Sequence, residues 1–417
     1  MAEKNNHAGY KPKDAEPKGG EPKAGKVTGN NSKPLIVLGI TGSIAAVRSF
    51  DLCRELRRHG FEVQVVMSSA GEEMITKDAM EFASGREVIS RIGGLVEHVK
   101  FFGKNGIASL FLVAPATANT ISKIAMGIDD TTVTTFATVA IGSGKPVLLA
   151  PAMHKPMYEH PIVIENLEKL KASGVKVIAP LEQGDKAKIA GIESIVFEVE
   201  KALSPKKLGG RKVLVASGAI RAKVDDIRVL TNISTGRLGS EIAAECARQG
   251  AEVKFIGNKL LEKYAGTIGC EEANFADELE AKVLRELDRG HYDYMFCPAA
   301  IPDFRVKGKN LHGKVDSSHP LKLELEPRAK MIEKVRQKFP SLKIIAFKAL
   351  WDKSRSQIEK EAAAFVKRNF LHTIVATDLK AEAISSEKRS MFFCGHKARK
   401  WIKGTRAELA ADIIREI

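Results

Sequence analysis

The sequence has few of the features that mark secreted, membrane-spanning or metal-stapled proteins. Its five cysteines are scattered over 417 residues and form no Cys-x-x-Cys pair, so we expect neither a disulfide scaffold nor a thiolate zinc site, and a cytoplasmic location fits. The longest stretch without charged residues, 105–122, contains Pro115, Asn119 and several Ser and Thr residues, which argues against a membrane span. No apolar segment follows the N-terminus, so no signal peptide is predicted.

Acidic residues are outnumbered, since 66 Lys and Arg against 51 Asp and Glu give a net charge of +15. The positive charge is spread along the chain without arginine blocks, and aromatic residues are only 6% of the total. This pattern does not favour nucleic acid or a membrane as a partner. It is more typical of proteins that bind small molecules carrying phosphate.

The chain is long enough for two or three domains. Residues 1–33 are rich in Lys, Pro, Gly and Glu with almost no aliphatic residues, which predicts a disordered tail. From Pro34 onward, short apolar segments alternate with helical ones. The predicted strands of this first unit are 35–40, 61–67, 110–114 and 146–150, and a helical stretch ends at His59.

A polar linker, 204–210, precedes a second unit with the same alternation. Its predicted strands are 212–216, 252–256, 292–297, 343–347 and 373–376, its predicted helices are 236–249 and 358–368, and 217–235 is predicted to be a polar loop. The sequence therefore predicts an α/β protein made of two tandem, doubly wound, mainly parallel-sheet, Rossmann-like domains, 34–203 and 211–417. Ligands should bind beyond the carboxyl ends of the strands.

Small residues follow the first predicted strand, in the turn Thr41-Gly42-Ser43. Backbone N–H groups at such a helix entry can bind phosphate, although a tight turn would need glycine in any case. Further along the chain lie His98, the segment APATANT at 114–120 and the segment PAMH at 151–154. In this order and spacing the four features resemble the flavin-dependent cysteine decarboxylases, in particular the phosphopantothenoylcysteine decarboxylases.

The resemblance implies that FMN is bound and that His98 is the catalytic base, a role that suits an imidazole because its pKa lies near working pH. Without the surrounding motifs His98 would be read as a surface helix residue. The implied reaction oxidises the substrate thiol, releases CO₂ and reduces the resulting enethiol. The implied FMN-binding residues are Gly42, Ser43, Ser68, Thr117, Ala118, Asn119, Thr120 and Ala152.

Three positions depart from the bacterial pattern and look like the archaeal version of the family. Asp129 replaces an asparagine and His154 replaces another, both at implied substrate-binding positions. Lys188 lies near the position of the cysteine that donates the final proton. Lys188 could be that proton donor if burial lowered its pKa, or it could be a solvated lysine that binds phosphate. A metal site at His154 and His160 is a poor alternative, because no carboxylate triad is nearby.

The most specific segment of the second unit is DDIRVLTNISTGRLG at 225–239. Its Ser234-Thr235-Gly236 turn leads into a helix, where backbone donors and the helix dipole favour phosphate. A dinucleotide-binding loop is the alternative, but the Gly-x-Gly-x-x-Gly spacing and the acidic ribose ligand are missing. The segment resembles the motif NRSSGKMG of the phosphopantothenate–cysteine ligases, together with their upstream Asp-x-x-Arg. The segments PAAIPDF at 298–304 and GKVDS at 313–317 resemble two further ligase motifs, although Asp316 replaces the second lysine of the latter.

This second resemblance implies that a carboxylate attacks the α-phosphate of CTP and that cysteine then displaces CMP. It implies that Asn232 binds the acyl-nucleotide intermediate, that Asp303 contacts the nucleotide or its Mg²⁺, and that Lys314 contacts the triphosphate. A looser set lies where the family contacts base and phosphates, namely Lys330, Phe347, Lys367 and Arg368. The last two could equally be a solvated helix end. The family also implies a homo-oligomer, with trimers of the first domain and dimers of the second.

Three functions are therefore open. The leading hypothesis is an enzyme that joins 4′-phosphopantothenate to cysteine with CTP and then decarboxylates the product to 4′-phosphopantetheine. The second is a ligase whose first domain is defective, because Asp129, His154 and Lys188 replace familiar residues. The third is a flavoprotein-like regulatory subunit that binds a partner, although such subunits usually have a long acidic tail and no ligase domain, and this sequence has the opposite features.

Overall fold

The computed structural model describes residues 33–308, 313–316, 318–380, 385–396 and 398–417. All of the predicted tail except Lys33 lies outside these ranges, so its disorder stays a prediction. The described cysteines are all free, and only Cys270 is exposed. None of the helices in these ranges has both the length and the apolar character that a bilayer span needs.

The first half of the chain builds a five-stranded parallel sheet in the order β2-β1-β3-β4-β6 and a small antiparallel sheet in the order β5-β8-β7. A 3₁₀ helix, Ile44–Arg48, precedes the first α-helix. The strands are β1 Leu35–Ile40, β2 Glu62–Met67, β3 Leu110–Ala116, β4 Val147–Pro151, β5 Met153–His154, β6 Lys176–Val177, β7 Leu181–Gln183 and β8 Lys186–Lys188. The helices are α1 Ser49–Arg58, α2 Ser69–Glu72, α3 Lys77–Ser84, α4 Glu97–Phe102, α5 Ala118–Met126, α6 Thr132–Gly142, α7 Lys155–Tyr158, α8 Pro161–Ala172 and α9 Ile192–Leu203.

Helices cover both faces of this sheet, as the continuous apolar strands predict. Every residue of β1 is buried. Ile36 and Leu38 belong to one apolar cluster, whereas Leu35 and Val37 belong to another. Alternate side chains of a strand point to opposite faces, so each face of the sheet has its own core.

The second half builds an eight-stranded sheet in the order β13-β12-β9-β14-β17-β18-β19-β20 and two hairpins, β10-β11 and β15-β16. A 3₁₀ helix spans Glu262–Tyr264. The strands are β9 Lys212–Ser217, β10 Arg221–Lys223, β11 Val229–Thr231, β12 Glu252–Gly257, β13 Gly269–Glu272, β14 Tyr294–Cys297, β15 Phe304–Val306, β16 Leu325–Pro327, β17 Lys343–Leu350, β18 Thr373–Asp378, β19 Arg389–Gly395 and β20 Arg399–Gly404. The helices are α10 Arg237–Arg248, α11 Ala276–Arg289, α12 Met331–Lys338, α13 Arg355–Asn369 and α14 Arg406–Arg415.

The predicted α/β class is confirmed, and one detail of the sequence interpretation is wrong. The segment 217–235 is not wholly loop, because β10 and β11 form an antiparallel hairpin within it. The large sheet is mainly parallel, as predicted, although β19 pairs antiparallel with both β18 and β20. Its first six strands do pair in parallel, so their carboxyl ends lie along one edge.

Helix α9 joins the two sheets through a junction of aromatic and charged side chains. The rings of Phe197 and Tyr264, both almost fully buried, lie 4.8 Å apart. The carboxylate of Glu200 lies 2.7 Å from Nδ1 of His59, at the end of α1. It also accepts a 3.0 Å hydrogen bond from Nε of Arg248, the last residue of α10. The Glu200 carboxylate therefore connects the C-terminal ends of α1, in the first half, and α10, in the second half.

Candidate active sites

Three loops with hydroxyl N-caps follow neighbouring strands of the first sheet. Ser43 Oγ accepts a hydrogen bond from the backbone N–H of Ala45 after β1. Ser68 caps α2 after β2, and Thr117 caps α5 after β3. Serine and threonine are good N-caps because their side-chain oxygen satisfies one of the free N–H groups of the first turn. The predicted residues Ser43, Ser68 and Thr117 thus lie at the carboxyl ends of three adjacent parallel strands.

The first of these loops packs so tightly that only glycine fits at Gly42. A Cβ atom there would lie 2.6 Å from Cβ of Ala70, at the start of α2. Ser43 Oγ also lies 3.5 Å from the carbonyl oxygen of Ala152, which brings the predicted Ala152 to the same place. Thr120 is buried in the first turn of α5 and donates its N–H to Thr117 Oγ1. Ala118 is half-buried and Asn119 is exposed beside it.

Two buried hydroxyl groups that the sequence analysis missed hold these loops together. Thr41 Oγ1 donates to the carbonyl oxygen of Pro115 at 2.8 Å and accepts from the N–H of Thr117 at 3.3 Å. Ser49 Oγ donates to the carbonyl oxygen of Ala114 at 2.9 Å. Both donors follow β1 and all three partners lie in or just after β3. Thr41 stands beside the predicted Gly42, but no local pattern reveals a partner more than 70 residues away.

His98 lies in α4, with its ring edge-to-face against Phe136 at a centroid distance of 6.4 Å. Its Nδ1 atom is buried and has no hydrogen-bond partner among the described residues. A buried polar atom without a partner is uncommon and calls for an explanation. The neighbouring Val96 has φ of +46°, a region that β-branched residues avoid and that is found more often near functional sites. Glu97 accepts the N–H of Gly93, and such backbone hydrogen bonds lower the pKa of its carboxyl.

The three departures from the bacterial pattern are all exposed. Asp129 lies between α5 and α6. His154 precedes α7 and belongs to the same small sheet as Lys188, because β8 pairs with both β5 and β7. Lys188 Nζ donates to Gln183 Oε1 across the β7-β8 hairpin. Because Lys188 is exposed, it lacks the burial on which a role as proton donor depended, and the alternative of a solvated phosphate-binding lysine is favoured.

The second site is built around the start of α10. Gly236 precedes the helix with φ of +66°, a conformation that suits glycine. Gly239, in the first turn, lies against β9, because a Cβ atom there would be 1.8 Å from Oγ of Ser217. That Ser217 hydroxyl is fully buried and has no partner among the described residues. The helix therefore enters close to the carboxyl end of β9, with its first N–H groups directed at the same edge.

Three predicted ligase residues meet at this edge. Asn232 Nδ2 donates to the carbonyl oxygen of Ile301 at 3.2 Å, two residues before Asp303. The Asp303 carboxylate forms an ion pair with Nζ of Lys330, which lies just before α12. The described structure thus places Asn232, Asp303 and Lys330 around one loop.

The remaining predicted nucleotide residues lie elsewhere in the second half. Lys314 is exposed in the segment Gly313–Asp316, which contacts the β10-β11 hairpin. Phe347 is half-buried in β17. Lys367 and Arg368 lie in the last turn of α13, a helix that runs from the carboxyl ends of the strands back toward their amino ends. The Arg368 guanidinium lies 5.3 Å from the ring centre of Phe365.

Two ionisable groups near these loops have strongly shifted pKa values. Hydrogen bonds from backbone N–H groups and from Arg228 lower the pKa of Asp225 to about 2. Burial raises the pKa of the Cys297 thiol to about 12, so this cysteine does not act as a thiolate. Across the described ranges there is no group of three or more His, Cys, Asp or Glu side chains that could hold a metal ion alone.

Two family models match the chain. The Flavoprotein family matches residues 25–204, and the C-terminal domain of the DNA/pantothenate metabolism flavoprotein family matches residues 208–417. The chain is 44% identical over 384 residues to the coenzyme A biosynthesis bifunctional protein CoaBC of Thermococcus kodakarensis, covering 92% of this chain and 94% of that relative. It is 31% identical to the CoaBC protein of Methanocaldococcus jannaschii, covering 92% and 93%.

Among solved structures, the DNA/pantothenate metabolism flavoprotein from Streptococcus pneumoniae is 23% identical to the chain, with a TM-score of 0.44. The match covers 49% of this chain and 97% of that one.

Proposed function

The chain belongs to the CoaBC family of bifunctional proteins of coenzyme A biosynthesis, and we propose that its two halves catalyse consecutive steps at the two sites described. The ligase half, 211–417, joins 4′-phosphopantothenate to cysteine with CTP. The decarboxylase half, 34–203, converts 4′-phosphopantothenoylcysteine to 4′-phosphopantetheine. The residues 204–210 connect the halves.

The residues of the first site fit FMN. Three capped helix starts at adjacent strand ends supply hydroxyl and N–H donors for a phosphate, and Nδ1 of His98 is a buried ring nitrogen that still needs a partner. When bound, FMN supplies two-electron redox chemistry. The loops that would hold it carry Gly42, Ser43, Ser68, Thr117, Ala118, Asn119, Thr120 and Ala152.

In this half the chain's own residues position the substrate and move a proton. We assign proton exchange with the substrate to the imidazole of His98, whose buried Nδ1 has no hydrogen-bond partner among the described residues. Phe136 holds the imidazole in place by its edge-to-face contact. Asp129 and His154 bind the substrate, and the exposed Lys188 binds its phosphate rather than donating the final proton.

In the ligase half, backbone donors at the start of α10 bind phosphate while side chains bind the rest of the nucleotide. Asn232 binds the acyl-nucleotide intermediate, and Lys314 and Lys330 offset negative charge on the triphosphate. Phe347 is a proposed nucleotide contact as well, whereas Lys367 and Arg368 lie at the end of α13 that is directed away from this edge, which favours the alternative of a solvated helix end. Asp303 is a single carboxylate, and Mg²⁺ commonly takes one or two carboxylates plus substrate phosphates, so this residue fits a metal that arrives with the nucleotide.

The observation that carries the decarboxylase assignment is the unpartnered Nδ1 of His98, and His98→Asn tests it. The variant should keep the yellow colour of bound oxidised flavin and release pyrophosphate at the parental rate, but form no CO₂ from 4′-phosphopantothenoylcysteine. His160→Asn is the matched control, because His160 only caps α8 through Nδ1 and asparagine can replace it there.

A coupled assay with 4′-phosphopantothenate, cysteine and either CTP or ATP tests the order and the nucleotide. CO₂ and pyrophosphate are measured separately. A colourless protein that releases pyrophosphate would indicate a ligase with a defective decarboxylase half, and a protein with neither activity would indicate a regulatory subunit. We also propose a homo-oligomer in the cytoplasm, which sedimentation and fractionation would test.

A further inference from the structure

We propose that Asp225 is a positioning residue of the ligase half, whose carboxylate fixes the segment Gly313–Asp316 so that Lys314 reaches the nucleotide. The inference deepens the proposed function and rests on it, because the contact between Lys314 and the triphosphate is itself part of that proposal. Asp225 acts through Lys314 and is not assigned a contact with substrate.

The Asp225 side chain is fully buried and accepts four hydrogen bonds. Its Oδ1 accepts the backbone N–H groups of Ile227 at 2.8 Å and Arg228 at 2.5 Å, which closes the turn between β10 and β11. Its Oδ2 accepts Nη1 of Arg228 at 2.7 Å and the backbone N–H of Val315 at 3.3 Å. Oδ1 therefore stabilises the turn, and Oδ2 binds a segment that lies 90 residues away in the sequence.

Further hydrogen bonds hold this segment on both sides of Lys314. On the far side, Arg228 Nη1 donates to the carbonyl oxygen of Val315 at 3.1 Å. On the near side, Asp226 Oδ2 accepts the N–H of Gly313 at 2.7 Å. The backbone is thus held immediately before and after Lys314, while the lysine side chain stays exposed.

A buried carboxylate is costly unless donors surround it, so the four bonds are needed to keep Asp225 where it is. They also hold its pKa at about 2, which keeps the carboxylate ionised, and the anchor intact, at any physiological pH. A lysine on a fixed backbone loses less conformational freedom when it binds phosphate than one on a free loop. The expected benefit is therefore tighter binding of the triphosphate.

The variant Asp225→Asn separates the two roles of the carboxylate. Its remaining oxygen can still close the turn, whereas its NH₂ group would face the N–H of Val315 and Nη1 of Arg228, donor against donor. We expect KM for CTP to rise about tenfold or more, because charge-assisted hydrogen bonds are replaced by a repulsive contact. Asp293→Asn is the matched control. Its carboxylate also accepts an arginine and a backbone N–H, from Arg211 and Lys212, but it lies at the amino end of the sheet.

A double-mutant cycle with Lys314→Ala shows whether Asp225 acts through the lysine. We expect the double variant to bind CTP no more weakly than Lys314→Ala alone, with CO₂ release at the parental rate throughout. The proposal would be overturned if the two substitutions raised KM for CTP independently, so that their factors multiplied in the double variant. It would also be overturned if Asp225→Asn had the same KM for CTP as Asp293→Asn.

Hydrogen exchange at the Val315 amide gives a readout that does not depend on activity. Asp225→Asn should accelerate this exchange and Asp293→Asn should not; equal exchange in the two variants would disprove the anchor. If instead Lys314→Ala leaves KM for CTP unchanged while Val315 exchange responds to Asp225→Asn, the proposed role of Lys314 fails, and the inference fails as a statement about nucleotide binding.

Discussion

Replacing Gly239 by alanine should weaken the second half of the protein. The new Cβ would lie 1.8 Å from Oγ and 2.4 Å from Cβ of Ser217, and 3.0 Å from Cγ of Pro298. Ser217 belongs to the buried strand β9 and cannot move aside, so α10 must shift. Overpacking of this kind costs about 1–3 kcal/mol, and the better helix propensity of alanine returns about 1 kcal/mol. With so close a contact we expect a cost near the upper end of that range, which leaves a net loss of about 2 kcal/mol.

Thermal unfolding and kinetics measure the consequence. A loss of that size corresponds to a fall in Tm of about 4–8 °C for a unit of about 200 residues. Because the start of the shifted helix is the proposed phosphate-binding site, KM for CTP should rise, while CO₂ release in the other half stays unchanged. Gly142→Ala is the control, since a Cβ at the end of α6 meets nothing within 4 Å, so no loss of stability is expected. A Gly239→Ala protein as stable as Gly142→Ala would refute the reasoning.

Three further predictions concern other groups. Asn232→Asp should impair amide formation more than Asn232→Ala, because a carboxylate would face the carbonyl oxygen of Ile301 and the bound phosphate; pyrophosphate release and amide formation are measured separately. Thr41→Val should lose about 1–3 kcal/mol and release flavin on dialysis, since the carbonyl of Pro115 and the N–H of Thr117 lose a buried partner. The Asp225 pKa of about 2 lies below the ordinary 3.8, so its stabilising contribution is present above about pH 4 and is lost as pH falls toward 2, and Asp225→Asn should flatten that part of a plot of Tm against pH.

Most parallel strands of the two large sheets, and the loops that follow them, were predictable from the sequence, whereas the antiparallel strands β19 and β20 were not. Buried parallel strands such as β1 are continuous apolar runs, and the small residues of Thr41-Gly42-Ser43 mark the turn that follows. The family motifs then predicted which of these loops bind ligands. Boundaries moved by no more than two residues at most strands, for example 110–114 against the observed Leu110–Ala116.

What the sequence could not reveal depends on contacts between distant segments. The hairpin strands β10 and β11 are three residues each and mostly exposed, so they lack the apolar alternation that identifies a strand. The hydrogen bond between Asp225 and Val315 joins segments 90 residues apart, and the one between Thr41 and Pro115 joins segments 74 residues apart. Neither pair leaves a periodic signal, because long-range pairing is decided by packing rather than by local propensity.

The junction at α9 affects whether the two halves of the protein can be expressed as separate polypeptides. Cutting the chain near residue 205 would leave Phe197 on one polypeptide and Tyr264 on the other, with each ring newly in contact with water. The same cut would separate Glu200 from Arg248, and a carboxylate and a guanidinium formerly shielded together would each need hydration. A laboratory that expresses the halves separately should therefore replace these aromatic residues with polar ones to keep the fragments from aggregating.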